Sequence, residues 1–236
     1  MNTANASPVI VALDYDDIQA AKTLVAKLSP ELCRLKVGKE MFTLYGPEWV
    51  KYLVGEGFDV FLDLKFHDIP NTVAKAVTAA AKLGVWMTNV HASGGPDMVR
   101  AAKEAAQSAS IGAAPLLTAV TVLTSMDERQ FSAVYQTTDI AKKVSELALL
   151  AQNAGADGVV CSAKEALLLR KQVDRKFCLV TPGIRPHGSD SNDQIRVMTP
   201  LAAIQAGVDY LVVGRPITQA DSPFDALCAI NKSLAI

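Results

Sequence analysis

The sequence predicts an α/β fold, a single (β/α)8 TIM barrel spanning residues 1–236, and three observations predict it. The length suits one closed barrel unit. Eight short, almost wholly apolar runs alternate with Ala-rich helical stretches, as parallel strands covered on both faces do. Polar and charged residues recur where those runs end, and barrel enzymes build their sites from the carboxyl ends of several strands at once. Alternation alone does not show closure, so a doubly wound open sheet is the second architecture it allows.

The first run, PVIVALD (8–14), ends on Asp14, and the second, RLKVG (34–38), carries Lys36. The third, DVFLDLK (59–65), ends with Asp63 and Lys65, which the period of two along a strand puts on one face. The helical stretch IPNTVAKAVTAAAKLG follows, with Pro in its first turn and Gly at its end. WMTNVHA (86–92) closes near His91, and PLLTAVTVL (115–123) leads to Thr124. After the connection TSMDERQFSAVYQTT (124–138) comes a second Gly-ended helix, DIAKKVSELALLAQNAG. GVVCSA (158–163) contains Ser162, FCLVTPG (177–183) ends on Pro182 and Gly183, and YLVVGRP (210–216) contains Gly214 and Arg215. The connections 124–138 and 185–200 exceed tight loops, and long loops after barrel strands are often functional. The βα period reads as a repeat of architecture, without matching residues from unit to unit.

Composition excludes several function classes. Half the residues are hydrophobic and 20% are charged, with a net charge of -1. That is the profile of an ordinary soluble globule, with no basic tract for nucleic acid. No apolar run approaches the ~20 residues of a membrane-spanning helix, and MNTANASP lacks the regions of a signal peptide. Cys33, Cys161, Cys178 and Cys228 are widely spaced and form no C-x-x-C pair, so they read as buried thiols of a reducing cytoplasm rather than disulfides or zinc ligands.

The stretch FLDLKFHDIPNT (61–72) puts two carboxylates and an ammonium within six residues where an apolar strand should be buried. Asp14, Lys36, Asp63, Lys65 and Asp68 sum to a charge of -1, so alternating signs compensate one another in a partly dry site. Asp68 alone has a simpler reading, as a cap for the helix beginning near Ile69 and Pro70. In the last two loops, Gly214 permits close backbone approach, Arg215 offers paired N–H donors to a phosphate, and Gln194 supplies an amide. Barrels bind phosphate at this place. The plain alternative is a turn glycine beside a surface cation.

DLKFHDIPNT fits the pattern D-x-K-x-x-D-I-P-N-T, and VALD (11–14), RLKVG (34–38), VHASGG (90–95), VTVLTSM (120–126), VTPGIRP (180–186) and VVGRP (212–216) occur in a fixed order around it. This set resembles the orotidine 5'-phosphate decarboxylase family, in its bacterial form, over essentially the whole chain. The resemblance implies a barrel acting as a homodimer with shared active sites, no metal and no cofactor. It implies conversion of orotidine monophosphate to uridine monophosphate and carbon dioxide, the last step of de novo UMP synthesis. It assigns Lys36, Asp63, Lys65 and Asp68 to the charged array, with Asp68 and Thr72 reaching the partner's site. Asp14 is implied to contact ribose and Thr124 the pyrimidine. Pro182 and Arg185 are implied to lie near the ligand, and Gln194, Gly214 and Arg215 to grip the phosphate. In that chemistry Lys65 stabilises and then protonates a C6 carbanion, while Asp63 either repels the departing carboxylate or positions Lys65.

Three alternatives accompany this reading. Magnesium-dependent sugar-phosphate decarboxylases and aldolases of the same barrel share D-x-K-x-x-D, but the second strand offers Lys36 where such a metal would take an acidic ligand. A Schiff-base aldolase would use Lys36 or Lys65. An inert phosphate-sugar binder would have no need of Asp63, Lys65 and Asp68. Of the histidines, His67 is expected to face away from Lys65, His91 either lines the site or satisfies the barrel rim, and His187 belongs to loop surface.

Overall fold

A computed structural model describes residues 7–109, 112–186 and 198–234. Eight parallel strands close in sequence order: β1 (Val9–Leu13), β2 (Arg34–Val37), β3 (Val60–Phe66), β4 (Met87–His91), β5 (Leu116–Val120), β6 (Gly158–Val160), β7 (Cys178–Thr181) and β8 (Tyr210–Val213). The pairing of β1 with β8, Val11 opposite Val213, seals the ring and rules out the open sheet.

Alternation along the strands builds two cores. Ile10, Ala12, Phe61, Met87, Val120, Val160, Val180 and Val212 fill the barrel interior. Their neighbours, among them Val11, Leu35, Val60, Leu62 and Leu211, point outward into a larger apolar layer beneath the helices. That is why the runs read as continuously apolar. The amino end of the barrel is stoppered by Arg34, whose guanidinium lies 4.5 Å from the Trp86 ring centroid and 5.2 Å from that of Tyr210. Asp59 Oδ2 stands 3.3 Å from Arg34 Nε and balances its charge.

Ten α-helices occur among the described residues: α1 (Ile18–Val25), α2 (Lys39–Gly55), α3 (Pro70–Lys82), α4 (Pro96–Ala109), α5 (Glu128–Tyr135), α6 (Ile140–Asn153), α7 (Ala166–Leu169), α8 (Pro200–Gln205), α9 (Arg215–Thr218) and α10 (Pro223–Ser233). Gly84 and Gly155 follow α3 and α6 with φ of 79° and 92°, the left-handed geometry a helix stop requires.

The sequence does repeat in one small respect. Gly57-Phe58-Asp59, Gly155-Ala156-Asp157 and Gly207-Val208-Asp209 each lead into a strand, and the three aspartates pair with Arg34, Lys103 and Arg170. Asp157 also accepts the Leu117 N–H and Asp209 the Leu179 N–H, tying each strand to its neighbour at the amino end. The three βα units thus repeat residues as well as architecture at this point, where no matching residues are expected.

Residues 124–138 are not merely a connection. Asp127 accepts the Gln130 N–H and caps α5, and fully buried Phe131 anchors it to the core. Cys33 and Cys161 are buried, while Cys178 and Cys228 are only half-buried. Burial pushes the Cys33 and Cys178 thiols up to about 12. Among the described residues no helix is long and apolar enough to cross a membrane.

Candidate active site

The carboxyl end of the barrel opens into a cavity of about 620 Å³. Its floor is the top of the barrel core, Ala12, Phe61, Val120, Val160 and Val212, and its walls are polar. Asp14, Lys36, Asp63, Lys65, Thr124, Pro182, Arg185, Gly214 and Arg215 all line it. Strands far apart in sequence therefore bring these predicted residues together.

Lys36 reaches the cavity because Leu35 and Val37 face outward and fix the alternation of β2. Its Nζ stands 3.2 Å from Asp14 Oδ1 and 3.6 Å from Asp63 Oδ2. Lys65 Nζ lies 2.6 Å from Asp63 Oδ1. The four groups thus alternate in sign along one wall. Burial pushes the Asp63 carboxyl up, but the ammonium groups of Lys36 and Lys65 and hydrogen bonds from Lys65 and Asn89 prevail and hold it below its ordinary value.

Asp63 and Lys65 share a face, as expected, but not by regular pleating. Leu62 pairs with Thr88 and Phe66 with Val90, so β3 spends four residues where β4 spends two. The bulge leaves Lys65 with φ of 52°, a left-handed backbone costing a non-glycine residue about 1–2 kcal/mol. Asn89, fully buried on β4, spans the gap: its Nδ2 donates to Asp63 Oδ1 at 2.7 Å and its Oδ1 accepts the Lys65 N–H at 2.8 Å.

Arg185 and Arg215 line the same cavity, after β7 and β8. Burial first, and then the Arg215 charge, hold Arg185 below its ordinary value, although a guanidinium stays protonated. Four lining cations (Lys36, Lys65, Arg185, Arg215) face two lining carboxylates (Asp14, Asp63), a formal excess of two positive charges. A cavity with that excess favours an anionic ligand.

Asp68 and Thr72 do not line this cavity; both are exposed at the start of α3, beside Ile69, which is 66% exposed. Asp68 accepts the Ile69 N–H, one residue outside the helix, whose own N-cap position is Ile69. Gln194 and His187 lie outside the described residues. His91 is not among the lining residues and lies against exposed His67, ring centroids 5.5 Å apart and planes tilted by 36°. Burial, then the neighbouring His67, Lys65 and Lys39 charges, drive His91 down to about 4.

Sequence reasoning missed Asn89, Tyr15, Thr218 and Gln219. The last three line the cavity, and the Tyr15 hydroxyl donates to the Thr218 carbonyl at 3.2 Å. Asn89 had a signal: a strong hydrogen-bonding side chain inside an apolar strand, level with Asp63. Tyr15 and Gln219 had none, since a loop and a helix end bring them in.

The sequence profile of the orotidine 5'-phosphate decarboxylase / HUMPS family matches residues 7–230. The chain belongs to that family. It is 63% identical over 227 residues to an orotidine 5'-phosphate decarboxylase of Pseudoalteromonas translucida, covering 96% of each chain. Identity to the orotidine 5'-phosphate decarboxylase of Shewanella sediminis is 60% over 232 residues, covering 98% of this chain and 99% of that one. The crystal structure of the decarboxylase from Lactobacillus acidophilus superposes with a TM-score of 0.87 at 39% identity, over 97% of this chain and 99% of the other. Orotidine 5'-phosphate decarboxylase relatives thus match the chain over almost its whole length, barrel and cavity wall included.

Proposed function

We propose that the cavity decarboxylates orotidine 5'-monophosphate to uridine 5'-monophosphate and carbon dioxide, the closing step of de novo UMP synthesis. The observation that carries this reading is the chain of contacts Asp14, Lys36, Asp63, Lys65 in a cavity that the Arg185 and Arg215 guanidinium groups also line. The substrate bears a phosphate and a carboxylate at opposite ends, matching the cavity's excess of two positive charges.

In this reading the bond from C6 to the carboxylate carbon breaks and its electron pair stays on C6. No adjacent carbonyl delocalises it, so a nearby cation must. Lys65 ammonium fills that role, then gives a proton to C6 and is reprotonated from water. Asp63 keeps the ammonium in place through its short ion pair. It also stands near the scissile carboxylate, where two like charges ~4 Å apart repel by roughly 4 kcal/mol at an effective dielectric near 20. Arg185, Gly214 and Arg215, with Gln194, hold the phosphate, Asp14 and Lys36 the ribose, and Thr124 and Pro182 the base. Binding energy gathered at the phosphate orients the ring at a distance.

We infer further that residues 1–236 form one catalytic unit that pairs as a homodimer in the cytoplasm. The exposure of Asp68, Ile69 and Thr72 beside the cavity supports this, since it leaves Asp68 and Thr72 available to a partner's site. An absorbance assay of orotidine monophosphate consumption in the presence of a chelator tests the reaction.

A further inference from the structure

Asn89 is fully buried, stands outside the cavity lining, and yet holds both members of its shortest ion pair. Its orientation is forced. The amide oxygen faces the Lys65 N–H and the amide nitrogen faces Asp63 Oδ1; a flip would set donor against donor and acceptor against acceptor. The same Asp63 Oδ1 receives Lys65 Nζ at 2.6 Å, so one oxygen collects two donors and one amide fixes both ends of the bulge. Where β3 leaves its ladder with β4, the Asn89 side chain supplies the missing partner.

We propose that Asn89 is a positioning residue for the decarboxylation, an inference that rests on the function proposed above. By clamping the left-handed backbone of Lys65 and the Asp63 carboxylate as one unit, it fixes where the Lys65 ammonium stands. An amide is required because Asp63 is ionised and needs a donor. A carboxylate of the same shape would still accept the Lys65 N–H but would confront Asp63 with a second acceptor.

The test is Asn89→Asp. The ionisable groups facing this spot are Asp63 and Lys65 from β3 and Lys36 from β2, with His91 two residues along β4; β5 presents uncharged Thr118 opposite. His91, at about 4, is already neutral across the assay range. Near pH 8 the variant loses about a hundredfold in kcat, the scale of a small misplacement of a reacting group. As pH falls toward about 6, the new carboxyl takes a proton, donates it to Asp63 as the amide did, and kcat recovers about tenfold. The wild type shows no such gain, and affinity for UMP stays within about threefold. A kcat equal to wild type, or a loss without recovery on acidification, would overturn the inference. If Asn89→Asp does not fold, Asn89→Ser carries the test, since its hydroxyl serves one of the two bonds and not both. Its kcat falls about thirtyfold with UMP affinity nearly intact; a parallel loss of kcat and UMP affinity, or an unchanged kcat, would contradict the assignment. Wild type inactive on orotidine monophosphate overturns the function instead, and so separates the two failures.

Discussion

Lys65 Nζ lies 2.6 Å from Asp63 Oδ1 although only Leu64 separates them, and Lys65 reaches this position through a left-handed backbone at φ of 52°. A regular strand would place two such side chains side by side along the pleat. The bulge instead turns Lys65 onto its own neighbour, and the strain is held by contacts from β2 and β4. Strained backbone at a charged cluster is what a preorganised site looks like.

The Arg215 charge adds to burial in holding Arg185 below its ordinary value, so two like charges line the cavity together. Arg215→Ala is expected to lower kcat/KM roughly a hundredfold, about 3 kcal/mol, the scale of a charge-assisted paired contact. The melting temperature changes much less than kcat/KM does. UMP raises the melting temperature of the wild type more than that of the variant. Thermal shift with and without UMP, beside steady-state kinetics, checks both; a variant that melts lower with unchanged activity per folded molecule would refute the phosphate role.

Asp68→Ala and Lys65→Ala subunits are each expected to be inactive alone and to regain activity when mixed. In a mixed dimer one site has an intact Lys65 and a partner's intact Asp68, so random pairing restores roughly a quarter of wild-type activity. Activity after mixing and refolding measures it, and no recovery would place Asp68 in its own chain's site or nowhere.

Stability has an acid-side dependence set by His91. Its value falls from 6.5 to about 4 on folding, so the unfolded chain binds the extra proton between those limits. Stability therefore rises with pH from about 4 to 6.5 on this group's account and is level above. His91→Gln flattens that part of the curve of melting temperature against pH. A variant curve as steep as wild type would show that other groups carry the slope.

Much of this was legible in the sequence because strand period and strand end are local properties. Eight apolar runs gave eight strands, and reading their carboxyl ends found Asp14, Lys36, Asp63, Lys65, Thr124, Pro182, Gly214 and Arg215 on one cavity, while His91 and Ser162, read the same way, do not line it. Closure was not legible, since it depends on β1 meeting β8 across the whole chain. The bulge was not legible either, because FLDLKF has the composition of an ordinary strand and only register against β4 reveals the surplus. Asn89 acts through that register, which is why its role follows from the fold and not from its neighbours in sequence. Arg34 shares the inward face of β2 with Lys36 but serves the opposite end of the barrel, a distinction that direction along the strand supplies. The G-x-D repeat was in plain sight and unremarkable until its aspartates were seen to join strands and cations at the barrel's amino end.

The most direct measurement is the loss of orotidine monophosphate absorbance with chelator present, on wild type and on Lys65→Ala, with UMP binding measured on both. The account predicts rapid chelator-resistant turnover by wild type. It predicts none by the variant, a loss of at least about a thousandfold, with UMP still bound. Turnover by Lys65→Ala near the wild-type rate would contradict the role given to Lys65, and a folded wild type without turnover would contradict the reaction itself.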